Sequence, residues 1–267
     1  MTLEPGRAPS KVDELVLVTG GSRGIGRAIA AEFARHGHSL ALVPRDVDAL
    51  RRAAEELARE HAVRVHTYAA DLSQKGATDR VCSALASDGL KVKYLINNAG
   101  DWSWGGLQDT DIDGLERLVD TNVLAPLRLT KALLPQLAAA RGGVLFTASL
   151  AALLPTPAFA TYGASKAFLA SLALALHEEC RAEGVLSCVV FPGVVRTGFI
   201  SPNAEMLWYR VLASAPETVA TASYRGFLSG QPVVVPGLLA RVLYLGVKVL
   251  PTRLSQGIFN AATAYHL

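Results

Sequence analysis

Cysteine, charge and long apolar runs are all scarce in this chain of 267 residues. The three cysteines, Cys82, Cys180 and Cys188, include no CxxC pair, which argues against a disulfide framework or a zinc site and favours a reducing compartment. We therefore expect a cytoplasmic protein without a metal. No run reaches the roughly 18 uninterrupted apolar residues that a membrane span needs. Residues 1–11 lack the apolar core of a secretory signal, and we interpret them as a flexible leader.

Charged residues are both few and balanced. They make up 18% of the chain, and 26 basic against 23 acidic residues give a net charge of +3. This small, dispersed charge gives no reason to expect a nucleic-acid partner. Apolar residues reach 51%, which is too many for a disordered chain. We therefore expect much of the chain to form a buried core.

Short apolar runs alternate with helical patterns along the sequence. The runs predict seven strands, at residues 15–18, 39–43, 63–68, 93–96, 144–148, 185–191 and 231–235. Between them we expect helices that include 25–36, 73–86 with Ser73 as N-cap, 158–183, and 111–140 with a bend or break at Pro126 or Pro135. Such alternation predicts an α/β fold, a doubly wound parallel sheet of the Rossmann type. We expect one domain over residues 12–236 and a helical extension over 237–267 packed on it.

A glycine-rich turn, residues 19–26 with the sequence TGGSRGIG, joins the first strand to the first helix. Gly20 allows a tight turn, Gly24 leaves room for a pyrophosphate, and Gly26 lets the helix pack close to the sheet. Backbone N–H groups at the helix N-terminus would face the anion, although any tight turn also uses glycine. The candidate cofactor-binding residues of this turn are Gly20, Ser22, Arg23, Gly24, Ile25 and Gly26.

The spacing TGxxxGxG resembles that of the short-chain dehydrogenase/reductase family. Further segments match the family in order: NNAG at 97–100, a serine at Ser149, YxxxK from Tyr162 to Lys166, and PGxxxT at 192–197. The resemblance covers roughly residues 16–197. It implies an oxidoreductase that transfers a hydride between a nicotinamide cofactor and a carbonyl or carbinol carbon.

The residue after the second strand selects the cofactor in dinucleotide-binding folds. Arg45 lies 19 residues after Gly26, near the usual spacing of about 20, and its planar guanidinium suits the 2′-phosphate of NADP. Arg23 would place a second cation near the same phosphate. We therefore favour NADP(H) over NAD(H). Two alternatives stay open: Arg45 is solvated while Asp46 caps the next helix, or Asp46 itself contacts the ribose.

The resemblance also implies further cofactor contacts. An Asp at the place of Asp71 would bond the adenine amino group, although a turn Asp near a helix start is the simpler interpretation. Leu72, next to Asp71, is also a cofactor-binding candidate. The candidates that would line the adenosine ribose and the nicotinamide are Asn98, Ala99, Gly100, Pro192, Val195 and Thr197. A plain loop remains the alternative for residues 97–100, and a plain Pro-Gly turn remains the alternative for residues 192–197.

The candidate catalytic residues are Asn122, Ser149, Tyr162 and Lys166. Tyr162 and Lys166 share one face of a helix because they are four residues apart. A free phenol has a pKa near 10, and we expect the ammonium and the oxidised nicotinamide to lower it so that Tyr162 acts as the general acid/base. Both side chains would also contact the cofactor. The resemblance assigns Ser149 to the substrate oxygen and Asn122 to a proton relay, although Ser149 could be a turn residue and Asn122 a polar residue on an exposed face.

Three segments would form the substrate pocket: residues 101–105, 150–160 and 198–214. They are rich in aromatic and aliphatic residues, so we expect an apolar carbonyl or alcohol substrate, unless these side chains pack on the core or on a partner subunit. Residues 237–250 are apolar apart from Arg241 and Lys248. We expect this segment to cover the pocket or to pack in a homodimer or homotetramer. A position of residues 237–253 on a membrane surface is the alternative.

Three functions remain open at this point. The first is an NADP(H)-dependent carbonyl reductase, the second a nucleotide-sensing protein without turnover, and the third a membrane-surface reductase of lipids. The four candidate catalytic residues favour an enzyme over a sensor.

Overall fold

The computed structural model describes residues 15–197 and 213–251, together with 254, 255 and 257. The leader and most of the pocket segment 198–214 lie outside the described residues. Seven parallel strands form one sheet in the order β3-β2-β1-β4-β5-β6-β7. The strands are β1 (Leu15–Thr19), β2 (Ser39–Val43), β3 (Val65–Thr67), β4 (Val92–Asn97), β5 (Gly143–Thr147), β6 (Leu186–Val190) and β7 (Val233–Val234).

Helices cover both faces of this sheet, which confirms the predicted doubly wound fold. They are α1 (Gly24–Arg35), α2 (Val47–His61), α3 (Ala77–Ser87), α4 (Ile112–Val119), α5 (Ala125–Ala139), α6 (Ala160–Glu179), α7 (Pro216–Leu228) and α8 (Leu238–Val249). One core lies between the sheet and α1, α2 and α7, and the other lies between the sheet and α3, α5 and α6. β1, β2 and β5 are buried along their whole length, as expected of strands covered on both faces.

Two helix predictions need correction. α3 begins at Ala77 after Gly76, which has a φ of +74°, so Ser73 is not the N-cap; its backbone N–H and hydroxyl instead donate to Asp71. The region 111–140 is interrupted, but not at either proline. Pro126 lies in the first turn of α5 and Pro135 lies inside that helix, whereas a π-helical turn over Asp120–Leu124 separates α4 from α5.

The strand order places the ligand crevice. The chain leaves β3 at one edge of the sheet and returns to β4 beside β1. In open α/β sheets ligands bind beyond the carboxyl ends of the strands at such a switch point. β1 and β4 end at Thr19 and Asn97, so the glycine-rich turn and the NNAG segment both lie at this crevice.

α8 lies against the carboxyl end of β6. Ala240 is its buried residue, and the Tyr244 ring lies 5.5 Å from the Phe191 ring, centroid to centroid. Among the described residues, no helix is long and apolar enough to cross a membrane.

Candidate active site

The glycine-rich turn is held tightly against the neighbouring strands. The Gly20 N–H donates to the Val43 carbonyl at 2.9 Å, and Gly20 has a φ of +68°, which favours glycine. A Cβ on Gly20 would lie 2.9 Å from the Cα of Ala99, and one on Gly26 would lie 2.3 Å from the Nδ2 of Asn98. The first and last glycines of the turn are therefore required by the backbone and side-chain packing of the chain itself.

Thr19 and Asn98 join the turn to the NNAG segment. The Thr19 hydroxyl accepts hydrogen bonds at 3.0 Å from the backbone N–H groups of Asn98 and Ala99. The Asn98 amide donates in return to the carbonyls of Thr19 and Gly20, at 3.2 and 3.3 Å. These bonds fix the N-terminus of α1 relative to the end of β4.

The arginines considered for cofactor selection lie on the surface near the end of β2. Arg23 and Arg45 are both exposed. Asp46 caps α2, since its Oδ1 accepts from the Ala49 N–H at 3.0 Å. That backbone bond lowers the pKa of Asp46, and the charges of Arg52 and Arg23 lower it further. Arg23 therefore lies close enough to the end of β2 to act on the same region as Arg45.

Asp71 and Leu72 follow β3 at the edge of the crevice. The Asp71 Oδ1 accepts from the Ser73 backbone at 3.1 Å and from its hydroxyl at 2.8 Å, and Leu72 is buried in the core. Asp71 thus forms the turn that was the simpler interpretation. These contacts engage one of its two carboxylate oxygens.

The segment 192–197 returns to the glycine-rich turn. The Pro192 carbonyl accepts from the Leu150 N–H at 3.2 Å, and Val195 forms an isolated bridge with Ser214. A Cβ on Gly24 would lie 3.1 Å from the Cβ of Thr197. Thr197 and the turn therefore border the same space at the carboxyl edge of the sheet.

Lys166 is a buried cation on α6. Its ammonium donates to the Thr147 carbonyl at 2.9 Å, and the residue as a whole is 4% exposed. Burial lowers the pKa of Lys166 to about 8. Its Nζ would lie 3.3 Å from a Cβ on Gly100, so a side chain at that glycine would crowd it.

Tyr162 lies one turn before Lys166, at the end of β5. Burial raises the pKa of Tyr162, and a hydrogen bond with the Ser149 side chain lowers it, with a net upward shift. The expected lowering by Lys166 is not what this arrangement shows, because the ammonium bonds Thr147 and lies 5.8 Å from the centroid of the Tyr162 ring. Ser149 also accepts from the Ala151 N–H at 3.2 Å.

Asn122 lies in the π-helical turn and is fully buried, so it is not a polar residue on an exposed face. Its Oδ1 accepts from the Asp101 N–H at 2.7 Å, and its Nδ2 donates to the Asp101 carbonyl and to the Ser165 Oγ, at 2.9 and 3.0 Å. Single π-turns inside helices occur often at functional sites. Here the turn brings a polar side chain inward to a buried network beside α6.

Sequence reasoning missed several residues that hold this site. Thr19 fastens the turn, and Ser165 links Asn122 to the Tyr162 carbonyl, to which it donates at 2.7 Å. A Cβ on Gly163 would lie 2.3 Å from the Thr156 Oγ1, so this glycine allows α6 to approach the preceding loop. Thr19 lies inside the TGxxxGxG motif, and Gly163 and Ser165 lie inside the YxxxK motif. Their place within these motifs is the sequence signal that could have identified them.

An aromatic wall lies beside Tyr162, and we define it as Trp102, Trp104 and Phe159. The Phe159 ring centroid lies 4.6 Å from that of Trp104, 6.0 Å from that of Trp102 and 5.6 Å from that of Tyr162. Ala158 has a positive φ of +61° and its carbonyl accepts from the Gly105 N–H at 3.0 Å. This bond joins the two loops that supply the wall.

The described residues fit a dinucleotide. The glycine-rich turn leads directly into α1, which has no acidic residue in its first turn, and the exposed cations Arg23 and Arg45 lie near the end of β2. A helix N-terminus favours an anion through its free N–H groups and dipole. The described residues hold no cluster of His, Cys, Asp and Glu suited to a metal.

Comparison with known proteins defines the class. The family model described as short chain dehydrogenase matches residues 14–207. The very-long-chain 3-oxoacyl-CoA reductase of Mus musculus is 32% identical over 192 residues, which cover 70% of this chain and 61% of that protein. The sulfoacetaldehyde reductase of Chromohalobacter salexigens is 30% identical over 256 residues, covering 92% of this chain and 97% of that protein. The chain spans about three fifths of the length of the oxoacyl-CoA reductase.

Solved structures show the same fold with either nucleotide. A short-chain dehydrogenase from Sphingobium yanoikuyae in complex with NADPH is 30% identical, with a TM-score of 0.75 and coverage of 92% of this chain and 95% of that chain. One from Burkholderia phymatum in complex with NAD is 25% identical, with a TM-score of 0.75 and coverage of 88% and 94%.

The fold, the site and these matches together define the family of this chain. The chain belongs to the short-chain dehydrogenase family. This confirms the resemblance that the sequence motifs indicated.

Proposed function

We propose that this enzyme transfers a hydride between NADP(H) and the carbonyl or secondary alcohol of an apolar small molecule. The observation that carries the proposal is the convergence of Ser149, Tyr162, Lys166 and the Asn122 network at the carboxyl edge of the sheet, beside the glycine-rich turn. These groups supply a proton, a donor to the substrate oxygen and a buried cation within one crevice.

Each residue has a physical role in the proposed reduction. The nicotinamide, when bound, supplies the hydride to the carbonyl carbon. The Tyr162 hydroxyl gives its proton to the substrate oxygen, and the Ser149 hydroxyl donates a hydrogen bond that stabilises the charge developing there. Lys166 would hold the ribose hydroxyls, and it would stabilise the Tyr162 phenolate only when its ammonium exchanges the Thr147 carbonyl for the phenolate oxygen. Asn122 hydrogen bonds the Asp101 backbone and the Ser165 hydroxyl, and these bonds hold α6 in position. Asn122 would also hold the water molecule of a proton relay.

The activity test uses oxidation of NADPH in the presence of a panel of ketones and aldehydes. Tyr162→Phe should lower kcat by about 10²–10⁴-fold, the usual contribution of a positioned acid/base, while NADPH binding measured by fluorescence stays within a few-fold of wild type. Wild-type protein that binds neither NADPH nor NADH, or a Tyr162→Phe variant with full turnover, would refute the proposal.

Preference for NADP(H) rests on Arg23 and Arg45. Both arginines are exposed near the end of β2, which supports contact with a 2′-phosphate, and a hydrogen bond to a charged group contributes about 1.5–3 kcal/mol. Arg45→Leu should therefore raise the KM for NADPH about ten- to a hundredfold and change that for NADH little. Arg59→Leu, at an exposed arginine of α2, is the matched control. Wild-type turnover with NADH alone would contradict this assignment.

An apolar substrate is supported by the aromatic wall. Trp104 is 49% exposed and contacts Phe159, which in turn contacts the Tyr162 ring. Burial of an aromatic surface contributes about 1.5–3 kcal/mol, so Trp104→Ala should lower kcat/KM for an aryl ketone at least tenfold and that for acetaldehyde much less. Leu107→Ala changes an exposed apolar residue outside the wall and is the control. Equal losses for both substrates in Trp104→Ala would show that the wall does not contact the substrate.

Cytoplasmic location and assembly as a homodimer or homotetramer also remain proposals. Cys82, Cys180 and Cys188 are all free thiols, as expected in a reducing compartment. Cell fractionation tests the location, and sedimentation equilibrium of the full chain tests the assembly.

A further inference from the structure

The outward face of α8 is an exposed aliphatic stripe, defined as Leu238, Val242, Leu245 and Val249. These residues are spaced by four, three and four positions, which places them on one face of a helix. They are 79%, 58%, 60% and 81% exposed. Leu239 and Leu243, at 43% and 47%, widen the stripe on one side. Contiguous exposed apolar surface of this kind marks an interaction site.

The opposite face of α8 is already used within the molecule. Ala240 is 6% exposed and its Cβ would lie 3.4 Å from a Cβ on Gly193. The Tyr244 ring packs on Phe191. These contacts fix the rotation of the helix, so the aliphatic stripe is held outward beside the segment that follows β6.

The two charged residues of α8 itself are both positive, while Glu217 at the start of α7 is an acidic residue that lines the same cavity as Arg241 and Leu245. Arg241 and Lys248 are the charged residues of α8, and from Thr218 to Leu267 the sequence contains four arginines and lysines but no Asp or Glu. Both cations lie along one border of the stripe, one helical heptad apart. The Arg241 Nε donates to the Val235 carbonyl at 3.0 Å, and the Lys248 Nζ lies 5.8 Å from the Tyr244 ring centroid.

This charge distribution selects the occupant. A second copy of α8 would bring the same two cations to the contact and repel the first. An anionic surface would instead pair with them, and a convex row of aliphatic side chains without hydrogen-bonding groups fits a fluid hydrocarbon layer. Interfacial helices combine an apolar face with bordering Lys and Arg in this way. At 12 residues, α8 is only about 18 Å long, so it would lie along a bilayer surface.

We propose that α8 docks the enzyme on an anionic phospholipid bilayer, with the aliphatic stripe at the boundary between headgroups and acyl chains and with Arg241 and Lys248 at the headgroups. Because the inner face of α8 abuts Phe191 and Gly193, this orientation holds the carboxyl edge of the sheet close to the lipid. The proposal concerns binding and stands independently of the substrate and of the cofactor preference.

The test is co-sedimentation of the full chain with vesicles of phosphatidylcholine alone or with 30 mol % phosphatidylglycerol added. Wild-type protein should bind the anionic vesicles and bind less in high salt. Leu245→Asp should weaken binding at least tenfold. Lys248→Gln should weaken it about fivefold, which corresponds to about 1 kcal/mol for one cation at an anionic surface. Ile112→Asp, at a 64% exposed apolar residue of α4, is the matched control and should bind like wild type.

Reductase activity and circular dichroism of each variant show whether it is folded. No binding of wild type to anionic vesicles, equal binding to both vesicle types, or unchanged binding by folded Leu245→Asp would each overturn the proposal. Dissociation of an oligomer by Leu245→Asp, without any vesicle binding by wild type, would show that a second copy covers the stripe instead.

Discussion

The free-energy cost of burying the Lys166 ammonium can be measured from the pH dependence of unfolding. Burial lowers its pKa from 10.5 to about 8, and one pKa unit corresponds to about 1.4 kcal/mol. The charged form is therefore disfavoured in the folded state by about 3 kcal/mol. Replacement of Lys166 by Met removes the titrating group and keeps a side chain of similar length.

The sign follows from proton binding in the two states. Between about pH 8 and pH 10.5 the unfolded chain keeps the Lys166 proton while the folded chain has released it. The free energy of unfolding of wild type should therefore rise with pH in this window, by a total of about 3 kcal/mol relative to Lys166→Met. Below pH 8 the difference between the two proteins should be constant.

Urea unfolding at pH 7, 8, 9 and 10, followed by circular dichroism without added nucleotide, measures this difference. Other groups titrate in both proteins, so their contributions cancel. Lys131→Met, at an exposed lysine of α5, should give a curve parallel to that of wild type. Parallel curves for wild type and Lys166→Met would refute the reasoning, because they would mean that Lys166 is equally solvated in the folded and unfolded states.

Three further outcomes can be checked. Asn122→Ala removes a buried side chain with three hydrogen bonds, and we expect a loss of about 2–4 kcal/mol in urea unfolding together with a lower kcat. Gly163→Ala should destabilise the protein by about 1–3 kcal/mol, and a second change, Thr156→Ala, should restore part of that loss because it removes the atom 2.3 Å from the new Cβ. Burial raises the pKa of Cys188 to about 12, so a thiol reagent at pH 8, followed by mass spectrometry, should modify the partly exposed Cys82 first; faster labelling of Cys188 would contradict its burial.

The local sequence determined the elements of the fold and their order. Continuous apolar runs such as 39–43 predicted strands covered on both faces, and the glycines at 20, 24 and 26 marked the turn between β1 and α1. This succeeded because burial on both faces requires apolar side chains, and because a positive φ at Gly20 and Gly24 and close packing at Gly26 favour glycine. The candidate catalytic residues were also recognisable, since Tyr162 and Lys166 are one helical turn apart and their relation needs no distant contact.

What only the tertiary structure decided depends on contacts between distant segments. The proline positions suggested a break in residues 111–140, yet the break is a π-helical turn that carries Asn122 inward to Asp101 and Ser165. The upward direction of the Tyr162 pKa shift likewise follows from burial, which outweighs the hydrogen bond with Ser149 and which no motif encodes. The apolar pattern of 237–250 left three roles open, and the packing of Ala240 and Tyr244 decided which side chains remain exposed. Hydrophobic periodicity shows that a helix has an apolar surface, but the surrounding fold determines how much of that surface is covered.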